Sequence, residues 1–108
     1  MTTKHHEIEI TVNGKGVFLA KPAPELAIGD TVRYFCESDG ILSVTFPELS
    51  PFEEDELKSN TRVGGGEKVT VRRSGAFKSG CRFKSKGASD EIGWPADPAS
   101  GADVVIKP

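Results

Sequence analysis

The chain is poor in the side chains from which metal centres and catalytic sites are built. Its 108 residues include two histidines, two cysteines, one methionine and one tryptophan. The histidines, His5 and His6, lie near the amino terminus, and two adjacent ligands do not close a metal site. The cysteines are not spaced C-x-x-C, which argues against thioredoxin-like redox chemistry. These absences predict a protein that is not an enzyme and that carries no metal and no cofactor.

Long apolar runs and a strong excess of one charge are also missing. No run approaches the length of a membrane-spanning helix, and the start MTTKHHEIEI lacks the apolar core of a secretory signal. The net charge of −2 argues against a nucleic-acid partner. We therefore expect a cytoplasmic monomer, or a periplasmic or exported one if a leader has been removed. The length predicts one domain over residues 7–108 behind a flexible tail, residues 1–6.

Alternating apolar residues between glycine-rich turns are the main feature that is present. The strongest pattern is GDTVRYFCESDGILSVTF, residues 29–46. Successive side chains of a strand point to opposite faces, so two inward rows are predicted here: Val32, Tyr34 and Cys36, then Leu42, Val44 and Phe46. Asp39-Gly40 between the rows fits a tight hairpin, or an arch from one sheet to another. The residues themselves leave this choice open.

The same alternation predicts further strands along the chain. Their inward residues are Ile8, Ile10 and Val12, then Val69 and Val71, then Cys81, Phe83 and Ser85, and finally Val104 and Ile106. Asn13-Gly14 is a hairpin signal. Seven or eight short strands indicate a β-sandwich or barrel. One short helix is predicted near residues 51–59. Ser50 and Glu53 form a capping box, and Pro51 suits the first helical position.

The order of these pieces resembles the cupredoxins, the plastocyanin and azurin group of blue-copper proteins. The first half of that family is a strand, a tight turn, a proline-interrupted second strand, a Gly-Asp/Glu turn, a third strand, an arch and a fourth strand. VFLAKPAPELAIGDTVRYF carries this order, and GGGEKVTV and SGCRFKS resemble later elements. The resemblance implies an all-β, Greek-key β-sandwich of two sheets, and it favours the arch at Asp39-Gly40.

The copper ligands of that family are absent at the matching positions. A blue-copper centre needs two imidazoles, a thiolate and a weak axial sulfur. The resemblance places these ligands at Leu42, Ser85, Ala88 and Gly93 or its neighbour Trp94, and none of these residues supplies the required atom. We therefore expect the fold without the blue-copper activity, with an apolar or plugged end where the metal would lie.

Cys36 and Cys81 lie on strands that face each other across the core in this plan. A disulfide between them would close a long loop and add about 4 kcal/mol of stability by the chain-entropy estimate. The alternative is two reduced, buried thiols that act as small apolar residues. The absence of an export signal favours the reduced thiols.

Two surfaces are candidates for partner binding. Arg82, Lys84 and Lys86 form an alternating basic row, which is either a docking face for an acidic or phosphate-rich partner or a solvated strand face. Trp94 lies in the turn-rich segment GWPADP and either forms a recognition loop or folds back over the core. The predicted function is a non-enzymatic module that binds an unidentified protein partner. The alternative is metal handling or electron transfer with ligands from outside the family pattern.

Overall fold

Strands are the only regular elements in the described part of the chain. The computed structural model describes residues 3–14, 16–21, 24–60 and 65–108. The strands, in chain order, are β1 (His5–Asn13), β2 (Gly16–Leu19), β3 (Leu26–Ala27), β4 (Thr31–Phe35), β5 (Gly40–Thr45), β6 (Glu56–Asn60), β7 (Gly65–Gly66), β8 (Val69–Thr70), β9 (Gly75–Phe77), β10 (Gly80–Ser85), β11 (Ile92–Gly93) and β12 (Val104–Lys107). In these ranges no helix is long and apolar enough to cross a membrane.

The strands form three sheets. The first has the order β2-β1-β4-β8, the second β11-β10-β5-β6-β7, and the third β3-β12-β9. β1 runs antiparallel to β2, as the Asn13-Gly14 signal predicts, and parallel to β4. The arrangement is all-β, as predicted, and is compatible with a β-sandwich. The described residues form twelve strands, more than the seven or eight predicted, and several of these are only two residues long.

The chain passes from the first sheet to the second between β4 and β5. β4 pairs with β1 and β8, whereas β5 pairs with β10 and β6. Asp39-Gly40 therefore ends an arch and is not the turn of a hairpin. Local turn chemistry fits both outcomes, and the sheet that each strand joins decides between them.

The inward rows predicted from alternation form one apolar core. Two residues of these rows are exceptions: Val12 is only partly buried against the core, and Ser85 lies exposed at the end of β10. The buried members of the core come from all three sheets: Ile8, Ile10, Val17, Leu26, Val32, Tyr34, Cys36, Leu42, Val44, Phe46, Phe52, Leu57, Val69, Val71, Phe77, Cys81, Phe83, Ala102, Val104 and Ile106. The radius of gyration is 13.1 Å, which equals the value of about 13 Å expected for one compact domain of this length.

The short helix predicted over residues 51–59 does not form. Residues 51–55 bend, and β6 begins at Glu56. Ser50 instead closes a turn, because its Oγ accepts from Phe52 N over 3.0 Å and donates to Glu54 O over 2.6 Å. The residues predicted to begin a helix therefore form a turn, and β6 follows that turn.

Hydrogen bonds to distant residues explain why the helix is lost. Pro51 O accepts from Arg72 N over 2.7 Å, and Asp55 O accepts from Phe46 N over 2.8 Å. A helix would need these carbonyls for its own N–H groups four residues further on. In β6 the buried Leu57 lies opposite Val44. Tertiary pairing therefore overrides a weak local preference.

The amino-terminal strand begins earlier than predicted. Of the tail predicted over residues 1–6, residues 1 and 2 lie outside the described part, and β1 starts at His5. Asp30 holds this start in place: it accepts from Lys4 N over 3.0 Å and lies 3.0 Å from His6 Nε2. His5 and His6, which fall within the tail predicted from sequence, therefore belong to β1.

Candidate functional site

The end of the second sheet where β5 begins and β10 ends carries the candidate site. Ser85 lies opposite Gly40 and Lys84 lies opposite Ile41 in the antiparallel pair. Lys86 N donates to Asp39 O over 3.0 Å, which extends the pairing by one residue. The last residues of β10 are therefore held in fixed register beside the end of the arch.

Two glycines allow the chain to close at this end. A Cβ atom at Gly40 would overlap the Lys84 carbonyl and the Phe83 ring, so only glycine fits there. Gly87 adopts a φ of 82°, which is a left-handed conformation that glycine tolerates. The turn closes as Ala88 N donates to Ser85 O over 3.0 Å.

The turn and the strand ends enclose a depression of about 350 Å³, which we call the lysine pocket. Its charged residues, Lys84 and Lys86, are both exposed, and neither forms an ion pair with any residue in the described ranges. Ile41, in the same pocket, is 48% exposed. The pocket thus combines two uncompensated positive charges with an apolar contact. Its lining residues are Gly40, Ile41, Lys84, Ser85, Lys86, Gly87 and Ala88.

Arg82, the third member of the predicted basic row, is held by acidic neighbours. Its guanidinium pairs with Glu56, and its Nε lies 3.9 Å from Glu91. Glu56 also lies 3.7 Å from the ammonium of Lys58. The charge of Arg82 is therefore compensated within the chain. Of the predicted basic row, Lys84 and Lys86 are the residues whose charge could meet a partner.

The four degenerate copper-site positions do not form one cluster. Ser85 and Ala88 line the lysine pocket. Leu42 is fully buried on β5. Gly93 pairs with Arg82 on β11, three residues from Ser85, which is about 10 Å along a strand. Two of the four positions thus lie in an open pocket that bears lysines.

Cys36 and Cys81 are separate thiols in the core. Cys36 Sγ lies 3.6 Å from the Ser38 carbonyl oxygen, to which it donates. Burial raises the pKa of Cys81 to about 12, opposed by a hydrogen bond from Ser79 and assisted by the charge of Asp103. A thiol with so high a pKa stays protonated at neutral pH and is a poor nucleophile and metal ligand.

Trp94 folds back onto the body of the protein. A Cβ at Gly80 would overlap the indole ring, so the ring packs against the start of β10. Trp94 N donates to Cys81 O over 2.8 Å, and the indole side chain is half-buried. This placement matches the capping role that the sequence left as one of two alternatives.

The segment after Trp94 is fastened to β2. Ser100 Oγ accepts from Val17 N over 3.0 Å and donates to Asp97 Oδ2 over 3.3 Å. Asp97 N in turn donates to Gly93 O over 2.8 Å. These bonds connect the segment to the first sheet as well as to the second, so its backbone is already engaged within the chain.

Sequence reasoning did not single out Ile41, although the signal was available. An inward row of Leu42, Val44 and Phe46 leaves Ile41 on the outer face, where an isoleucine is unusual. The same logic applies to Val105, which is 65% exposed beside an apolar groove of about 560 Å³. Leu49, 54% exposed in that groove, belongs to no periodic pattern and gave no signal.

The described residues contain no group of three or more histidine, cysteine, aspartate or glutamate side chains placed to hold a metal ion. No protein-family model matches the chain, and no curated protein matches it either. The function must therefore be argued from the geometry and the charges of the site itself.

Proposed function

We propose that the protein is a non-enzymatic interaction module, a cupredoxin-like Greek-key sandwich without a blue-copper centre, that binds an acidic protein partner through the lysine pocket. The observation that carries this proposal is the contrast between neighbours on one strand. Arg82 has two acidic partners, whereas Lys84 and Lys86 have none in the described ranges and flank an exposed Ile41. Uncompensated surface charge beside an apolar contact is typical of a docking site.

Features of the topology support the cupredoxin-like part of the proposal. The chain crosses between sheets at the arch, as the resemblance implies. β10, which carries SGCRFKS, lies beside β5 and brings Ser85 close to the arch. The third sheet, β3-β12-β9, is a departure from a simple two-sheet plan.

The distribution of perturbed groups supports binding in preference to catalysis. Among the described residues, clearly shifted pKa values occur at Glu7, Asp30, Arg33, Tyr34 and Cys81. All five lie outside the lysine pocket. Catalytic groups are usually tuned within the cleft where they act. The pocket therefore offers charge and shape, and no activated acid, base or nucleophile.

A titration with an acidic peptide tests the proposal. We expect a blocked peptide rich in glutamate to shift the amide resonances of residues 84–88 in a two-dimensional NMR spectrum, and the shifts to weaken at high salt. Exposed ion pairs contribute about 0.2–1 kcal/mol each. The double variant Lys84→Gln/Lys86→Gln should therefore bind several-fold more weakly than wild type.

The matched control is Lys21→Gln/Lys78→Gln, which makes the same change in net charge at exposed sites outside the pocket. It should bind like wild type. Equal weakening in both double variants would mean that the peptide responds only to overall charge. That result, or no binding by wild type, would overturn the proposal.

Metal handling is the less favoured function, because it depends on Cys36 and Cys81, whose sulfurs are buried. A copper titration followed by visible absorption tests it directly. We expect no intense thiolate-to-copper band, since Cys81 stays protonated at neutral pH. The appearance of such a band would replace the interaction module with an electron-transfer role.

A further inference from the structure

We propose that the lysine pocket selects an extended peptide segment that presents a carboxylate and an apolar side chain two residues apart on one face. This inference rests on the proposed function and names the ligand chemistry of the same site. It depends on the placement of Ile41 relative to the two lysines, which the net charge of the chain does not reveal.

The first step is the register of β5 and β10. Lys84 lies directly opposite Ile41 in the antiparallel pair, so their Cβ atoms are about 5 Å apart on the same face of the sheet. Both side chains are exposed and both line the pocket. A cation and an apolar surface therefore lie side by side in a fixed relation.

The second step is the position of Lys86. It follows Lys84 by two residues, and the bond from its N–H to Asp39 O continues the pairing of β10 with the arch. β10 ends at Ser85 and Lys86 begins the turn, so the two Cα atoms are at most about 7 Å apart and the flexible ammonium groups can converge on one carboxylate between them. Two N–H donors from different lysines then bind the two oxygens of a single acidic side chain.

The third step matches a ligand to this layout. In an extended segment, side chains at positions i and i+2 point the same way and are about 7 Å apart. A carboxylate held between the lysines then places the next side chain on that face over Ile41. An adjacent residue, at i+1, points away from the pocket. The pocket volume of about 350 Å³ leaves room for both side chains.

Four blocked peptides test the inference by NMR titration at one ionic strength. They are GSESLSG, with the acid and leucine two residues apart; GSQSLSG, without the charge; GSESSSG, without the apolar side chain; and GSELSSG, with the two adjacent. We expect the first to bind most tightly. Loss of the charge should weaken binding about threefold, and loss of the leucine, or its shift to the adjacent position, about fivefold.

The protein variant Ile41→Ser identifies the apolar contact. Ile41 faces outward on β5, so the substitution leaves the core unchanged, and the NMR spectrum reports whether the fold is kept. In wild type, replacing the leucine by serine should cost about fivefold in affinity, and in Ile41→Ser less than about twofold. Such coupling between ligand and protein substitutions shows that the two side chains touch.

Outcomes that contradict the inference differ from those that contradict the proposed function. Equal binding of GSESLSG, GSESSSG and GSELSSG would overturn the inference and leave the acidic docking site intact. Acetate or inorganic phosphate displacing the peptide at equal ionic strength and equal concentration would show that the anion alone is recognised, and would also overturn it. No binding by any acidic peptide would overturn both.

Discussion

Gly80 and Trp94 are in close contact at the start of β10. A Cβ at Gly80 would overlap the indole ring, whereas a Cβ at Gly14 would have no atom within 4 Å of it. The absence of a side chain at residue 80 is therefore what lets the tryptophan lie against β10.

We expect Gly80→Ala to lower the free energy of unfolding by about 2 kcal/mol, because overpacking forces the ring or the strand to move. Urea unfolding measures the loss, and the emission of the single tryptophan should shift to longer wavelength as the ring becomes exposed. Gly14→Ala is the control and should change stability little. Unchanged stability and emission in Gly80→Ala would contradict the placement of Trp94.

Asp30 is a second residue on which local order depends. The backbone N–H of Lys4, then the His6 side chain and the Ala27 N–H, lower its pKa, although burial acts in the opposite direction. The unfolded chain therefore binds a proton at a higher pH than the folded chain does. The contribution of Asp30 to stability is complete above the unfolded pKa of about 4, and it is lost as pH falls from there through the lowered folded pKa.

The variant Asp30→Asn tests this linkage. It should lose about 1–3 kcal/mol at neutral pH, because the ionised acceptor of two partly buried N–H bonds is removed. Its stability should also fall less steeply than that of wild type below about pH 4. Urea unfolding at several pH values measures both effects. Asp90→Asn, at an exposed site, should resemble wild type; an unchanged acid slope in Asp30→Asn would refute the assignment.

At the scale of elements, the segment before β6 shows how one arginine fixes a turn. Arg73 Nη1 donates to Ser50 O over 2.8 Å and to Phe52 O over 2.9 Å. The side chain of Arg72, its neighbour in sequence, forms a 3.8 Å ion pair with the exposed Glu53. Consecutive arginines thus have different structural roles.

We predict that Arg73→Gln destabilises the protein by about 1–2 kcal/mol, because two carbonyls lose a charged donor. Arg72→Gln should cost less than about 0.5 kcal/mol, since an exposed ion pair contributes little. The two variants carry the same change in charge, so their difference isolates the turn contacts. Equal unfolding midpoints in denaturant would contradict the prediction.

At the scale of the whole molecule, the core places both thiols out of reach of solvent. Cys36 and Cys81 belong to the single apolar cluster that joins the three sheets. The sequence left a disulfide and two reduced thiols as alternatives, and the structure has no disulfide between these two cysteines. Modification of either sulfur therefore requires the core to open.

We expect a thiol reagent at neutral pH to react slowly with the native protein and to titrate two thiols per chain after unfolding without reductant. The protonated state of Cys81, whose pKa is raised to about 12, further slows its reaction. The native rate should rise with denaturant as opening becomes more frequent. Fast native reaction, or fewer than two thiols after unfolding, would contradict this packing.

The basic residues of the candidate site could be predicted from the sequence, but which of them are neutralised by acidic neighbours could not. The basic row of Arg82, Lys84 and Lys86 is visible as an alternating pattern. The sequence does not indicate that Glu56 and Glu91 neutralise only the first of these, because the ion pairs join β10 to distant parts of the chain. The exposed Ile41 beside the remaining lysines likewise follows from register between β5 and β10.

The sequence by itself determined the all-β fold class and which side chains of each strand face the core. Alternation with a period of two puts a residue on the inner or the outer face whatever strand lies beside it, and burial of the apolar face then selects the all-β core. Only the tertiary structure decided the arch after β4, the strand in place of the helix after Pro51, and the anchoring of His5 and His6. These three depend on hydrogen bonds and ion pairs between residues far apart in the chain. Local propensity is too small in energy to specify them, and pairing between strands is not encoded in any single segment.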